Sequence, residues 1–286
     1  MENYSAQMEN FAKIQSQLEN IVTVQLHPNI EGYDIPKSYG IYKESGGRAL
    51  GVTGGVFVPT QPKLILDSLL DCSVDLSQMK YVEMKEGSKV RFQIPLKSIE
   101  FKNDRKVGDV TDVSLCIQTG FDGLTKTSLY LYTHRLICTN GAKATTTEFQ
   151  ASFKNTKGNQ GKIVGLCEDV TKAVQKLDDL KELYKALDKV QVNQALVDEY
   201  LTKVAGLDVK KSEEWSPRKQ NIYDAINTSI ALEFGRTGAT LFGLYNGITH
   251  YTNHVASGSD NPDATFFGNG ADLNDSAFKF VSALVM

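Results

Sequence analysis

The sequence predicts an α+β fold: an antiparallel β-meander in the N-terminal and central part, with a helical C-terminal part packed against it. Two observations lead to this prediction. Between Lys80 and Thr139, short runs of alternating or β-rich residues are separated by turn signals. After Gly161, apolar residues recur at helical spacing and charged residues occupy the opposite face. The predicted organisation is a helical arm over residues 1–29, a mainly β core over 30–165 and a helical region over 166–286.

The first 25 residues are mostly polar, and the apolar residues among them recur at helical spacing. Those apolar positions are Phe11, Ile14, Leu18, Ile21 and Val22. The spacing predicts an amphipathic helix that packs on the body of the protein or on another subunit. His27-Pro28 is expected to end it, because the residue before a proline is disfavoured in the α region.

Residues 30–60 predict turns and short strands. The Gly46-Gly47 pair indicates a hairpin-like break. The glycines within Gly51–Pro59 indicate a bulge or a close backbone approach in a strand. A helix is predicted from Gln61-Pro62 through Leu70, because proline suits the first helical turn.

Four or more strands are predicted in the central region. The runs that indicate them are Tyr81–Met84, Lys89–Ile94, Asp112–Ile117 and Leu129–Cys138. Turn signals between them are Glu86-Gly87, Gly108-Asp109 and Asp122-Gly123. Asn140-Gly141 predicts a further tight turn, because both residues tolerate positive φ.

The C-terminal helices are predicted from apolar stripes and end signals. One stripe runs from Asp169 to Leu187, and Gly206 is expected to end the helix that follows it. Ser216-Pro217 predicts a helix start, with serine as the cap and proline in the first turn. The remaining predictions are a break at Gly235–Gly238, an aromatic-rich helix over Thr240–Val255 and a closing helix over Asp272–Leu284.

Charge is unevenly distributed, although the net charge is only −3. Lys80–Lys162 contains 14 Lys/Arg and 8 Asp/Glu, and the remainder contains 17 and 26. A basic middle segment is compatible with an anionic ligand, and equally with charge variation on a solvated sheet. No apolar run approaches the roughly 20 residues of a membrane-spanning helix. The first residues lack the basic start of a signal peptide, so we expect a cytoplasmic protein with no membrane partner and with its four cysteines reduced.

Three blocks of the sequence resemble one family. They are Leu50–Pro59, the run Arg135-Leu-Ile-Cys-Thr-Asn-Gly141 and the run from Thr240 to His254. Together, and in this order, they resemble the phage/plasmid-like proteins known as domain of unknown function 932. The resemblance extends from about residue 40 to the C-terminus. It implies an origin in a phage, plasmid or prophage, and it implies no particular activity.

No familiar catalytic motif is present. The sequence contains neither a GxxxxGK[ST] loop nor a GxSxG elbow. His250 and His254 stand four apart on a predicted helix and so share one face, but Tyr251 occupies the place of the glutamate in helical zinc motifs. Asp260 or Asp263 could complete a metal site, whereas hydrogen bonds in a core or interface are the commoner role for such histidines. We expect a non-enzymatic protein with no cofactor and no metal.

The best-supported candidate site is a basic sheet surface that carries aromatic residues. The predicted nucleic-acid-binding residues are Lys89, Arg91, Lys97, Lys102, Arg105, Lys106, His134, Arg135 and Lys143. The accompanying rings are Phe92, Phe101, Phe121, Tyr130 and Tyr132. Cations pair with phosphates and bases stack on rings when single-stranded nucleic acid is bound. In a strand, Lys89 and Arg91 share one face, and Val90 and Phe92 share the other. This alternation equally suits a half-buried sheet, in which many of these rings would belong to the core.

Three functional hypotheses follow. The first is a non-enzymatic accessory protein of a phage or mobile element that binds single-stranded DNA and acts as a homo-oligomer. The alternative is a structural or host-interaction protein, virion-associated or directed against host defence, with no nucleic-acid role. The third is an enzyme that uses His250, His254 and nearby acids. The oligomer is expected because the N-terminal helix and the helix at 240–255 offer apolar surface.

Overall fold

The computed structural model describes residues 2–27, 36–103, 106–135, 140–144, 150–163, 165–256 and 268–286. These residues form two compact units, neither of which is continuous in sequence. Unit 1 comprises Met1–Leu96, Ser114–Tyr130 and Gln150–Gln175, and unit 2 comprises Lys97–Val113, Leu131–Phe149 and Lys176–Met286.

Antiparallel sheets occupy the N-terminal and central part, and helices occupy the C-terminal part, which confirms the predicted α+β class. The strands are β1 (Ile21–Gln25), β2 (Ser38–Lys43), β3 (Gly51–Gly54), β4 (Lys80–Met84), β5 (Lys89–Pro95), β6 (Ile99–Asn103), β7 (Lys106–Gly120), β8 (Thr127–Arg135), β9 (Asn140–Ala144) and β10 (Gln150–Phe153). The helices are α1 (Glu2–Gln15), α2 (Pro62–Leu70), α3 (Leu166–Gln175), α4 (Leu177–Lys189), α5 (Gln194–Ala205), α6 (Pro217–Thr237), α7 (Leu241–His250) and α8 (Gly268–Ser282).

Two sheets are formed. Strands β1, β2 and β3 make a three-stranded sheet in that order. A seven-stranded sheet has the order β10-β8-β7-β5-β4, with β6 also paired to β7 and β9 also paired to β8. The long strands β7 and β8 each contribute one half to unit 1 and the other half to unit 2.

Side chains along β5 alternate between two environments. Lys89, Arg91 and Gln93 are partly exposed, whereas Val90 and Phe92 are buried on the opposite face. The predicted sharing of a face by Lys89 and Arg91 is therefore confirmed. From residue 114 to residue 120 every residue of β7 is buried, as expected for a strand covered on both faces.

Two glycine predictions are confirmed in unit 1. Gly46 and Gly47 both have positive φ, at 94° and 102°, in the connection between β2 and β3. At Gly51, an added Cβ would lie 2.5 Å from Asp122 Cα and 2.7 Å from the Phe121 carbonyl oxygen. Strand β3 therefore approaches the β7–β8 turn so closely that only glycine fits there.

A ring of hydrogen bonds centred on Asn155 organises the interior of unit 1. Asn155 Nδ2 lies 3.3 Å from Thr119 Oγ1, which lies 2.8 Å from Thr127 Oγ1, and Thr127 Oγ1 donates to Asn155 Oδ1 at 2.6 Å. Thr60 Oγ1 also donates to Oδ1, at 3.0 Å. Nδ2 further reaches the carbonyl oxygens of residues 120 and 125, each at 3.1 Å. Asn155 is only 3% exposed, and its amide joins three chain segments.

The predicted N-terminal helix is too long. Helix α1 ends at Gln15, and Ile21 and Val22 lie in β1 instead. The sequence Ile-Val-Thr-Val is rich in β-branched residues, whose stiff side chains favour strands over helices. Phe11 and Ile14 are buried within unit 1, so this part of the predicted apolar face packs on the body of the protein.

Two turn predictions in the β region are wrong. Gly108 and Asp109 lie inside β7, and Asn140 and Gly141 begin β9, where they pair with Arg135 and His134. Pairing with a neighbouring strand overrides the local preference of these residues for turns. The end of the predicted strand at residues 136–138 lies outside the described residues.

One predicted helix is divided. The stripe from Asp169 to Leu187 is shared between α3 and α4, with a break at Lys176. The break predicted over Gly235–Gly238 is confirmed at Gly238 (φ 86°), whereas Gly235 lies inside α6, which continues to Thr237. A single interior glycine costs a helix only about 1 kcal/mol, which tertiary packing readily offsets. The predicted helix start at Ser216 and the end at Gly206 (φ 67°) are confirmed.

Helices α6 and α7 make a close contact within unit 2. A Cβ added at Gly247 would lie 2.6 Å from Ile230 Cγ1 and 2.8 Å from Ile230 Cα. All residues from Leu241 to Thr249 are buried in this single chain. The helix therefore does not present the apolar surface on which the expectation of an oligomer partly rested.

The cysteines only partly follow the expectation of reduced thiols. Cys116 is a buried free thiol, whereas Cys72 is disulfide-bonded. The expectation is wrong for Cys72 because it rested on the first residues of the chain, which do not determine which cysteines the fold brings together.

Replacing Asn155 by alanine is expected to lower the free energy of unfolding by about 2–4 kcal/mol, because buried hydroxyl and carbonyl groups lose their partner. Urea unfolding followed by circular dichroism measures this change. Asn159→Ala is the matched control, since Asn159 makes one exposed bond to the Lys154 carbonyl and its loss should change stability by no more than about 0.5 kcal/mol. Equal effects of the two substitutions would contradict the structural role of Asn155.

Candidate functional site

The second half of β8 has one covered face and one partly exposed face within unit 2. Leu131 and Thr133 are buried, whereas Tyr132 and His134 are partly exposed. Thr133 Oγ1 lies 3.0 Å from the hydroxyl oxygen of Tyr184 on α4. Tyr184 is itself buried against Phe242 of α7, with ring centroids 5.5 Å apart. Helices therefore cover the Leu131 face, and Tyr132 and His134 belong to the other face.

Tyr132 and His134 form a pair of nearly parallel rings. Their centroids are 6.4 Å apart and their planes differ by 27°. Residues two apart on a strand share a face, so the sheet itself sets this arrangement. Across the β8–β9 pairing, Lys143 is the register partner of Tyr132, and Gly141 is the partner of His134. The site therefore combines two aromatic rings on β8 with a lysine, Lys143, at the neighbouring position of β9.

Most of the predicted binding residues that the structure describes belong to unit 2. Lys97 is exposed just before β6, Lys102 lies in β6 and Lys106 begins β7. Arg135 and Lys143 lie in β8 and β9. Arg105 lies outside the described residues. Strands β6 and β7 pair antiparallel, with Asn103 opposite Lys106. This pairing places Lys102 and Lys106 close to the same end of the hairpin.

Lys89 and Arg91 belong to unit 1, and Lys89 has a structural partner there. Lys89 Nζ lies 3.2 Å from Asp122 Oδ2, and their side chains are only 16% and 22% exposed. Asp122 also holds the β7–β8 turn, because its carboxylate accepts from the backbone N–H groups of Leu124 and Thr125 and from the Thr125 hydroxyl, at 2.7–3.0 Å. Lys89 therefore stabilises the β7–β8 turn through its ion pair with Asp122.

The same turn sets the ionisation of Asp122. Burial by itself would raise the pKa of this carboxyl group. The hydrogen bonds from Thr125 and Leu124, together with the charge of Lys89, outweigh burial and leave the pKa of Asp122 below its ordinary value.

Three of the five rings that sequence analysis placed beside the cations belong to the core. Phe92, Phe121 and Tyr130 are each no more than 2% exposed, and the Tyr130 hydroxyl donates to Gln118 Oε1 at 2.9 Å. These rings therefore follow the alternative reading of a half-buried sheet. The side chain of Phe101 lies outside the described residues. Tyr132 is the ring of this set that remains partly exposed.

The histidines singled out in the sequence lie at the end of α7. His250 is its last residue, and His254 lies in a π-helical turn over Tyr251–Val255. His250 Nδ1 lies 3.1 Å from Ser229 Oγ on α6. Among the described residues, no cluster of three or more His, Cys, Asp or Glu side chains could hold a metal ion. Asp260 and Asp263 lie outside the described residues.

The model of a family described as Domain of unknown function (DUF932) matches residues 50–277. The chain belongs to the DUF932 family. The resemblance noted in the sequence is thereby confirmed at the level of the family. No curated protein and no solved structure matches the chain. Within the part of the chain that the structure describes, no helix is long and apolar enough to cross a membrane.

The DUF932 match includes several of the structural features described above. Its first residues lead into β3, where Gly51 meets the β7–β8 turn. Its last block contains Thr240, whose side chain caps α7 by accepting from the Gly243 N–H at 3.1 Å, and Gly247 at the contact with α6. Two of the three sequence blocks are thus explained by packing and capping.

Asp122→Asn is expected to destabilise the protein at neutral pH, and the difference from the unsubstituted protein should shrink in acid. A carboxyl group whose folded-state pKa is lowered stabilises the fold above its unfolded pKa of about 4 and loses that contribution as the pH falls through the lower folded pKa. Urea midpoints measured from pH 7 to about pH 2 test this. A difference that stays constant over the whole range would exclude the proposed ionic role.

Proposed function

We propose that this DUF932 protein is a non-enzymatic accessory protein of a phage or other mobile element that binds single-stranded nucleic acid. The observation that supports this function is the Tyr132–His134 ring pair on the partly exposed face of β8. A ligand that combines flat rings with negative charge suits such a face, because bases stack on aromatic side chains while phosphates pair with cations.

Basic residues in or beside the strands that neighbour β8 support the same ligand class. Of the predicted binding residues that the structure describes, the lysines and the arginine in unit 2 are Lys97, Lys102, Lys106, Arg135 and Lys143. In the β8–β9 register, Lys143 lies directly opposite Tyr132. Nucleic-acid binding supplied largely by such charges is sequence-tolerant and falls with salt concentration.

Phe92, Phe121 and Tyr130 are buried, so they are not part of the proposed binding surface. The sheet of unit 1 offers no stacking platform from these rings, and Lys89 is held by Asp122. The proposal is therefore restricted to the β8–β9 ribbon and the basic residues of the β6–β7 hairpin. Homo-oligomerisation and a cytoplasmic location remain parts of the proposal.

Tyr132→Ala is expected to weaken binding of a fluorescein-labelled oligothymidylate about tenfold or more at low salt, because one base–aromatic stack contributes about 1–3 kcal/mol. Fluorescence anisotropy measures the affinity. Tyr4→Ala is the matched control, because Tyr4 is an exposed tyrosine of α1 in unit 1 (70% exposed).

A lysine pair tests the charge contribution separately. Lys143→Ala should reduce the dependence of log K on log salt by about 0.7, the value for one phosphate contact on a single strand. Lys126→Ala, an exposed lysine in the β7–β8 turn of unit 1, should leave that slope unchanged. Absence of oligonucleotide binding by the unsubstituted protein at low salt would refute the function, and equal behaviour of the two tyrosine variants would refute the site.

An exposed apolar group in unit 1 favours the alternative function, a structural or host-interaction protein. Val52, Val56 and Leu124 are 58%, 76% and 89% exposed. A Cβ added at Gly123, the neighbour of Leu124, would lie 2.8 Å from the Val52 carbonyl oxygen, so two of these residues stand on adjoining backbone. Exposed apolar groups of this kind are typical of protein-binding surfaces. Mass spectrometry of purified particles separates the two functions, because a replication accessory should be absent from them.

A further inference from the structure

The turn that carries His250 and His254 departs from α-helical geometry. Ala256 N–H donates to the Tyr251 carbonyl at 2.8 Å, a bond between residues five apart. In an α-helix, positions four apart are offset by about 40° around the axis, because successive residues are about 100° apart. A wider turn reduces the angle per residue and brings such positions closer to alignment. π-turns of this kind are rare in proteins, and those that occur often lie at functional sites.

The two imidazole rings stand at a distance suited to a shared ligand atom. Their centroids are 5.2 Å apart and their planes are tilted by 45°. A metal ion bound at about 2.0–2.1 Å from each ring nitrogen lies roughly 3.2 Å from each centroid, so tetrahedral coordination places the centroids about 5 Å apart. The observed separation of 5.2 Å agrees with this value.

Ser229 selects the tautomer of His250. Ser229 Oγ donates to the Ala225 carbonyl at 3.0 Å, which uses its one hydrogen. The Ser229 oxygen must therefore accept from His250 Nδ1–H across their 3.1 Å contact. Nε2 of His250 then carries the lone pair that can bind a ligand. Metal-binding histidines are usually oriented by such a hydrogen bond on the other ring nitrogen.

We propose that His250 and His254 bind a divalent transition-metal ion of the zinc, nickel or copper class through two imidazole nitrogens, with Ser229 as a positioning residue. Imidazole ligands favour this class of ion. Within the described ranges, no third His, Cys, Asp or Glu side chain joins the pair. This site is independent of the nucleic-acid surface on β8.

Zinc titration by calorimetry tests the site on the full-length protein. One equivalent of Zn²⁺ is expected to bind, and His254→Ala should weaken binding by about tenfold or more. His27→Ala is the matched control, because His27 is exposed in unit 1 and should not affect the affinity. Ser229→Ala should weaken binding, and Ser229→Thr, which keeps the hydroxyl, should restore it.

Copper provides a second readout that identifies the ligands. Electron paramagnetic resonance of the Cu²⁺ complex should show coupling to two imidazole nitrogens, which falls to one in folded His254→Ala. His254 is partly exposed, so this variant is suited to the test even where His250→Ala fails to fold. Absence of Zn²⁺ binding, or unchanged Zn²⁺ affinity in folded His254→Ala, would overturn the proposal.

Discussion

The amide of Asn155 is the constraint on which the order of unit 1 depends. From its place after β10, it joins the segment before α2 to the ends of β7 and β8 and to the turn between them, through hydrogen bonds of 2.6–3.3 Å. Apart from the part-buried Thr125 carbonyl, the partners are buried hydroxyl or carbonyl groups, so an unmade bond would cost their desolvation energy. The turn fixed in this way also contains Asp122, which holds Lys89, and it receives Gly51 of β3.

Several residues within the DUF932 match have packing or capping roles. Gly51 and Gly247 are positions where a side chain would meet backbone or a neighbouring helix within 2.8 Å, and Thr240 caps a helix. Such requirements preserve a fold whatever ligand it binds. The side chains proposed for binding, Tyr132 and His134, are by contrast partly exposed.

Local chemistry was readable from the sequence, whereas long-range pairing was not. The cap at Ser216, the glycine end at Gly206 and the alternation along β5 each depend on a few neighbouring residues, and all are confirmed. The positions of Ile21 and Gly108 were mispredicted because strand pairing decides them. For the candidate sites, sequence could indicate Tyr132 and the histidine pair. It could not reveal that Asp122 holds Lys89 or that Ser229 sets the tautomer of His250, because those partners are distant in the chain.

The interleaving of the two units within β7 and β8 has a consequence for the ancestry of the protein. Each unit draws on three separate stretches of the chain, so no continuous gene fragment encodes either one. Recombination that exchanges a single block of DNA would deliver parts of both units and leave half-strands without their hydrogen-bonded neighbours. Recombination is therefore expected to exchange this protein whole, and its two units to diversify together by point substitution.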